Sequence, residues 1–289
     1  MGEFMMKKWT KTIALSLAAI GSVVGLAACG KSTTSSKLTT VTVGGIGSDY
    51  QTWVHIAKTP QAKKLGLKLD VKEVTVGKQL NDETANGDID VNAFQSYAFF
   101  LAYNKETKGK KIAALGTTYL EPVGIYSNKY KSIKSLPDKA TIGISSNPAN
   151  GARELLLLQK AGIIKLKKGF DTFGTTRDIT SNPKHVQIKE INEDSAARFL
   201  DDFDAVLISN TIALEAKLNV LKDSIYYEKA DDSTKDNINI LATTAKQKNN
   251  KTYKKLVKLY RDPAIQKWIK KEFGGTKVEV KKPLNYLEK

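Results

Sequence analysis

Thr39-Thr40-Val41-Thr42-Val43-Gly44-Gly45-Ile46-Gly47-Ser48-Asp49 is the stretch from which the architecture follows. Its β-branched residues suit a buried strand, and the glycine-rich turn after them can open a helix. A strand feeding a helix is the βα start of an α/β fold. Such a turn also invites a phosphate reading, but neither dinucleotide spacing nor a Gly-Lys-Ser/Thr ending is present, and nucleotide binding is set aside.

Downstream, further strands are expected at 67–74, 89–94, 111–119, 124–127, 141–145, 186–190, 205–209 and 237–243, with helical stretches between most of them. That alternation argues for parallel sheets covered by helices. The clearest helix is 153–161, with Leu155 to Leu158 buried, Asn150-Gly151 at its start and Gly162 as its stop. The seven prolines fall at element boundaries, and no internal repeat is visible.

Upstream, Lys7, Lys8 and Lys11 precede an apolar run from Ile13 to Leu26, followed by Ala27-Ala28-Cys29-Gly30. A charged start, a short apolar core and a small-residue cleavage site mark a signal peptide, too short for the roughly 20 residues of a membrane span. Met1-Gly2-Glu3-Phe4 precedes a second plausible start at Met5 or Met6 and is read as a cloning scar, and position 6 rules out myristoylation of Gly2. Residues 1–28 are thus scar and signal peptide. Leu26-Ala27-Ala28-Cys29 resembles the bacterial lipobox, in which the cysteine is lipidated. As Cys29 is the only cysteine, no disulfide is possible. Residues 29–39 are then the lipidated cysteine and a Ser/Thr-rich tether.

The roughly 250 residues that remain exceed the usual single-domain size, so two lobes or one large α/β domain are expected. Removing residues 1–28 takes away three lysines and one glutamate, lowering the net charge from +16 to +14. The lysines are spread along the chain without forming blocks, which argues against nucleic acid and for an anionic cell envelope or simple solubility.

His55 and His185 are the only histidines, so a three-histidine zinc site is impossible and a histidine-dependent triad is poorly supported. No metal, cofactor or catalytic residue is expected. Asn147-Pro148-Ala149-Asn150-Gly151-Ala152-Arg153 is more informative. A strand ending near Ser146 delivers a helix whose first-turn N–H groups, with Arg153 beside them, would suit an α-carboxylate. Ordinary capping by Asn150 with an exposed Arg153 reads those residues equally well. Asp90 to Tyr97 brings amide, aromatic and hydroxyl groups to a strand end, where α/β proteins place ligand contacts.

Together these segments resemble the NlpA-type methionine-binding lipoproteins, the substrate-binding proteins of ABC importers. The matching stretches are 85–95, 121–127, 132–158 with its Asn-Pro-Ala-Asn-Gly-Ala-Arg, 177–183, and 200–208 with 213–216. The resemblance implies an α/β, type II periplasmic-binding-protein-like fold, with lobe 1 from 40–122 plus 228–289, lobe 2 from 123–227, and the ligand cleft between them. It implies that Arg153 clamps a ligand carboxylate with Asn150 nearby, and that Asn92, Phe94 and Gln95 line the facing wall. Ser96, Tyr97, Tyr119, Ser209 and Asn210 complete the expected site.

Several positions depart from the methionine-binding pattern: Ser96 and Tyr119 stand where the family has His, Gly77 and Ile212 where it has Tyr, and Ser209 where it has Asn, with Asn210 next door. Losing a Tyr and a His should open volume, so a ligand other or larger than L-methionine, another amino acid or a short peptide, is expected. The implied partners are that small molecule, an ABC transporter permease and the membrane through the lipid anchor, with the chain a monomer on the extracellular face. The competing reading is a cell-surface adhesin holding anionic glycans or matrix through its basic exterior.

Overall fold

The computed structural model describes residues 38–229 and 231–288; the leader, Cys29 and most of the tether lie outside them. Thr39–Gly45 forms the first strand, its Val41 and Val43 fully buried. It pairs in parallel with Leu67–Glu73 on one side and Val91–Ser96 on the other. Asn239–Thr244 and Ile112–Thr117 complete the first five-stranded sheet. The second sheet is ordered Gln187–Ile191, Thr141–Ser145, Ala205–Ile208, Gly124–Tyr126 and Tyr226–Tyr227. Each sheet carries its own core, which makes the molecule two-lobed.

Both sheets are mixed, not wholly parallel as the alternation predicts. Asn239–Thr244 runs antiparallel to both of its neighbours, and Gly124–Tyr126 runs antiparallel to Ala205–Ile208. The reason is topological. The chain leaves the first lobe near Glu121 and returns near Asn237, so each strand entered from the other lobe runs backward through its sheet.

In the first lobe, helix Gly47–Lys58 lays Trp53 and Ile56 against the sheet, joined by Leu256, Leu259 and Tyr260 of helix Lys251–Tyr260. Full burial of side chains this large contributes about 1.5–3 kcal/mol each. In the second, Leu155 and Leu158 of helix Pro148–Lys160 pack on Ile125, Ile142, Ile144 and Leu207.

That helix begins earlier than the sequence predicts. Asn147 is the cap, its Oδ1 accepting the N–H groups of Ala149 and Asn150 at 3.1 Å each, and Pro148 takes the first helical position, where a missing N–H costs nothing. Arg153 consequently stands in the second turn, not the first. Gly151 lets the helix settle onto the preceding strand, since a Cβ there would lie 2.7 Å from the Ser145 carbonyl oxygen.

Candidate functional site

A cavity of about 260 Å³ lies between the lobes. The first lobe contributes Thr75 to Lys78 and Phe94, Gln95, Ser96 and Phe99, the second Asn150, Arg153, Glu193, Asp194 and Ser209, and the crossing Glu121. Phe94, Gln95, Ser96, Asn150, Arg153 and Ser209 therefore meet in one place, although up to 115 positions separate them in sequence.

Asn92, Tyr97, Tyr119 and Asn210 stand behind that surface. Asn92 is fully buried and donates to Asn81 and Thr84, while its Oδ1 accepts from Gln95 at 2.7 Å. Gln95 also exchanges hydrogen bonds with Asn81 at 2.7 and 3.0 Å. This closed amide cluster holds Gln95 at the wall, so Asn92 acts through it and does not line the cavity. Tyr97 stacks on Phe100 with ring centroids 5.5 Å apart, and Ser96 caps that helix by accepting the Phe99 N–H. His55 stacks on Trp268, away from the cavity lining.

The guanidinium of Arg153 is desolvated and already engaged. Its Nη2 pairs with Glu228 Oε2 and donates to the Glu121 carbonyl at 2.7 Å, and its Nε donates to Glu228 Oε1 at 3.2 Å. Nη1 makes no hydrogen bond among the described residues. The backbone donors that the sequence reading assigned to a carboxylate are taken, by Asn147 and by its carbonyl, which accepts from Gly151. Asn150 turns to Glu193, donating to Oε2 at 2.6 Å, where Ser145 Oγ also donates at 2.7 Å. Burial raises the Glu193 pKa against those two hydrogen bonds.

Glu154, next to Arg153 on the same helix but not part of the cavity lining, is 3% exposed and accepts the Ser145 N–H. Burial pushes its pKa well above the ordinary glutamate value, with Glu193 adding to the rise and Arg153 opposing it. The folded state then keeps a proton that the unfolded chain releases. Stability from this group is greatest below the unfolded pKa and falls as pH rises toward the raised one. Glu154→Gln preserves the acceptor and should flatten that decline, read from urea midpoints taken from acid to neutral pH; an unchanged slope would show that Glu154 does not govern it.

Gly77 does not leave the expected void. A Cβ there would sit 2.8 Å from Phe94 and 3.1 Å from Phe99, whose rings meet edge to face with centroids 5.7 Å apart. The aromatic pair occupies the room that the missing Tyr side chain would fill. A second cavity of about 270 Å³ lies past Phe99 and shares Lys78, Phe99 and Asn147 with the first.

Four groups at the base of the cleft escaped the sequence reading. Lys277 is buried, with Nζ 2.8 Å from Asp49 Oδ1, 3.8 Å from Glu121 Oε2 and 4.4 Å from the Tyr119 ring centroid. Tyr119 donates its hydroxyl to the same Asp49 oxygen at 2.5 Å. Glu121 in turn accepts from Asn210 at 2.9 Å and Thr211 at 3.0 Å, both of the second lobe. Burial raises the Asp49 pKa while Lys277 opposes the rise. Glu228 is the fourth. Although Glu121 heads one of the matching stretches, no local pattern shows how any of the four is paired, because each charge finds its partner only across the fold. Among the described residues no cluster of His, Cys, Asp or Glu has the makings of a metal site.

Two α/β lobes joined by two crossings, with a small polar and aromatic cavity between them, define a binding protein of the two-lobed periplasmic type. The chain belongs to the NlpA lipoprotein family, whose profile matches residues 41–281. It is 34% identical over 235 residues to a probable D-methionine-binding lipoprotein MetQ of Pasteurella multocida, covering 81% of this chain and 84% of that one. A nutrient binding protein from Burkholderia cenocepacia, bound to methionine, superposes with a TM-score of 0.78 at 38% identity, over 83% of this chain and all of that one. The substrate binding protein of a methionine transporter from Streptococcus pneumoniae gives 0.76 at 33% identity, over 84% and 96%.

Proposed function

We propose that this chain is the lipid-anchored extracellular receptor of an ABC importer, and that its cleft encloses a methionine-like amino acid or a short peptide. The observation that carries this reading is the cavity itself. At about 260 Å³ it falls just below the roughly 300–1,000 Å³ of pockets for drug-sized ligands, the scale of an amino acid. Its polar groups suit a zwitterion: Arg153 Nη1 for the carboxylate, Glu193 and Asp194 for the ammonium, and Phe94 and Phe99 for an apolar side chain. A ligand longer than one residue would extend past Phe99 toward the second cavity. The names of the relatives, a methionine-binding lipoprotein and a methionine transporter's receptor, support the same substrate class. They lend nothing to the adhesin reading, and support binding without catalysis.

Calorimetric titration with L-methionine, D-methionine, other amino acids and methionine-containing dipeptides tests the proposal. One-to-one binding of at least one of these is expected, and silence from all of them would overturn it. For the anchor, Cys29→Ser should shift the expressed protein from the membrane fraction to the medium or to an unlipidated precursor, read by intact mass. A wild-type mass without acyl chains would exclude lipidation.

A further inference from the structure

The lysines are not evenly placed around the fold. Helix Lys251–Tyr260 buries Leu256, Leu259 and Tyr260 and exposes Lys251, Lys254, Lys255 and Lys258, the i, i+3, i+4, i+7 stripe of one helical face. Lys255 donates to the Leu65 carbonyl at 2.9 Å, and the neighbouring Gly66 carbonyl accepts the Thr39 N–H at 2.8 Å. The stripe therefore adjoins the place where the chain enters its first strand. Lys63, Lys64 and Lys68 are exposed at the same end. Lys255 meets a backbone carbonyl and Lys254 the Asn249 amide oxygen at 3.4 Å, but none of these lysines pairs with a carboxylate: the ion pairs among the described residues all involve other cations.

From this juxtaposition we infer that the lysine face around Thr39 is a docking surface for anionic lipid headgroups. Thr39 lies ten positions after Cys29, a span of at most about 36 Å at roughly 3.6 Å per residue. A chain anchored at Cys29 cannot carry this face far from the bilayer. An anionic leaflet attracts lysines that come within a Debye length of about 8 Å at physiological salt. Because acyl chains already supply firm attachment, the contribution of the face is orientation. The cleft begins at Ile46, the opposite end of a strand about 20 Å long at roughly 3.3 Å per residue. Lying on the lysine face turns the cleft outward, toward arriving ligand. The anchor belongs to the proposed function, so the test is made without it.

Residues 37–289 form one compact unit holding every core cluster, so a chain beginning at Gly30 is suitable. Its co-sedimentation with vesicles of phosphatidylglycerol and phosphatidylcholine is compared with that on phosphatidylcholine alone. Binding to the anionic vesicles only, abolished at 1 M salt where screening acts within about 3 Å, is the expected result. The triple variant Lys251→Glu, Lys254→Glu, Lys258→Glu should bind about 100-fold more weakly, since each lysine is worth roughly fivefold in partition near a charged leaflet. A control with the same charge change on the second lobe, Lys165→Glu, Lys168→Glu, Lys189→Glu, should lose less than about threefold. Thermal melts and ligand titration verify that both variants are folded. Equal losses in the two variants would reduce the effect to net charge and overturn the inference, as would no preference for anionic vesicles at low salt.

Discussion

Arg153→Ala is expected to weaken ligand binding 30-fold or more, roughly 2–5 kcal/mol, because the lost charge lines the cavity and its side chain is largely buried. The same change should also destabilise the fold. Glu228 is 5% exposed and would keep only the Asn237 amide, at 2.6 Å, in place of a guanidinium. Stranding one member of a buried pair costs about 3–5 kcal/mol. The two effects separate in the double variant Arg153→Ala, Glu228→Gln, which removes the stranded charge. Urea denaturation should show much of the stability regained, while titration with the ligand found for the wild type should still show the binding loss. Wild-type affinity in the folded double variant would mean that Arg153 does not hold the ligand.

Lys277→Met should be among the most damaging single changes to stability, again about 3–5 kcal/mol. It would leave the carboxylates of Asp49 and Glu121 buried without the cation between them. Burial already raises the Asp49 pKa with Lys277 in place, and removing the lysine removes the main influence opposing that rise. The folded variant should then keep a proton that its unfolded chain gives up. Its deficit should be smallest in acid and grow as pH rises through the raised pKa, a trend that midpoints at several pH values would show. Asp49→Asn added to Lys277→Met should recover part of the loss, since the amide oxygen can still accept from Tyr119. A loss below about 1 kcal/mol in Lys277→Met would show that the lysine is dispensable to the folded state. Because Glu121 also ties Asn210 and Thr211 of the second lobe, ligand affinity should fall along with stability.

The sequence alone determined the α/β class, the strand at Thr39–Gly45, the family, and the segments that meet in the cleft. Those features are local: β-branched runs and turn residues act through neighbours a few positions away, so their pattern survives in one dimension. Phe94, Gln95 and Arg153 were placed in the cleft by the family resemblance, since their local patterns beside a strand or helix end suit core packing and ordinary capping equally well. Tertiary structure alone decided which of the neighbouring polar groups reach the cavity. Asn92 and Gln95 are three residues apart, yet one is enclosed by Asn81 and Thr84 while the other forms the wall. It also set the helix start at Pro148, filled the space beside Gly77 with two aromatic rings, and paired Arg153 with Glu228 and Lys277 with Asp49 across 75 and 228 positions. A buried charge needs a partner wherever the fold can bring one, and nothing in the nearby chain records where that partner will come from.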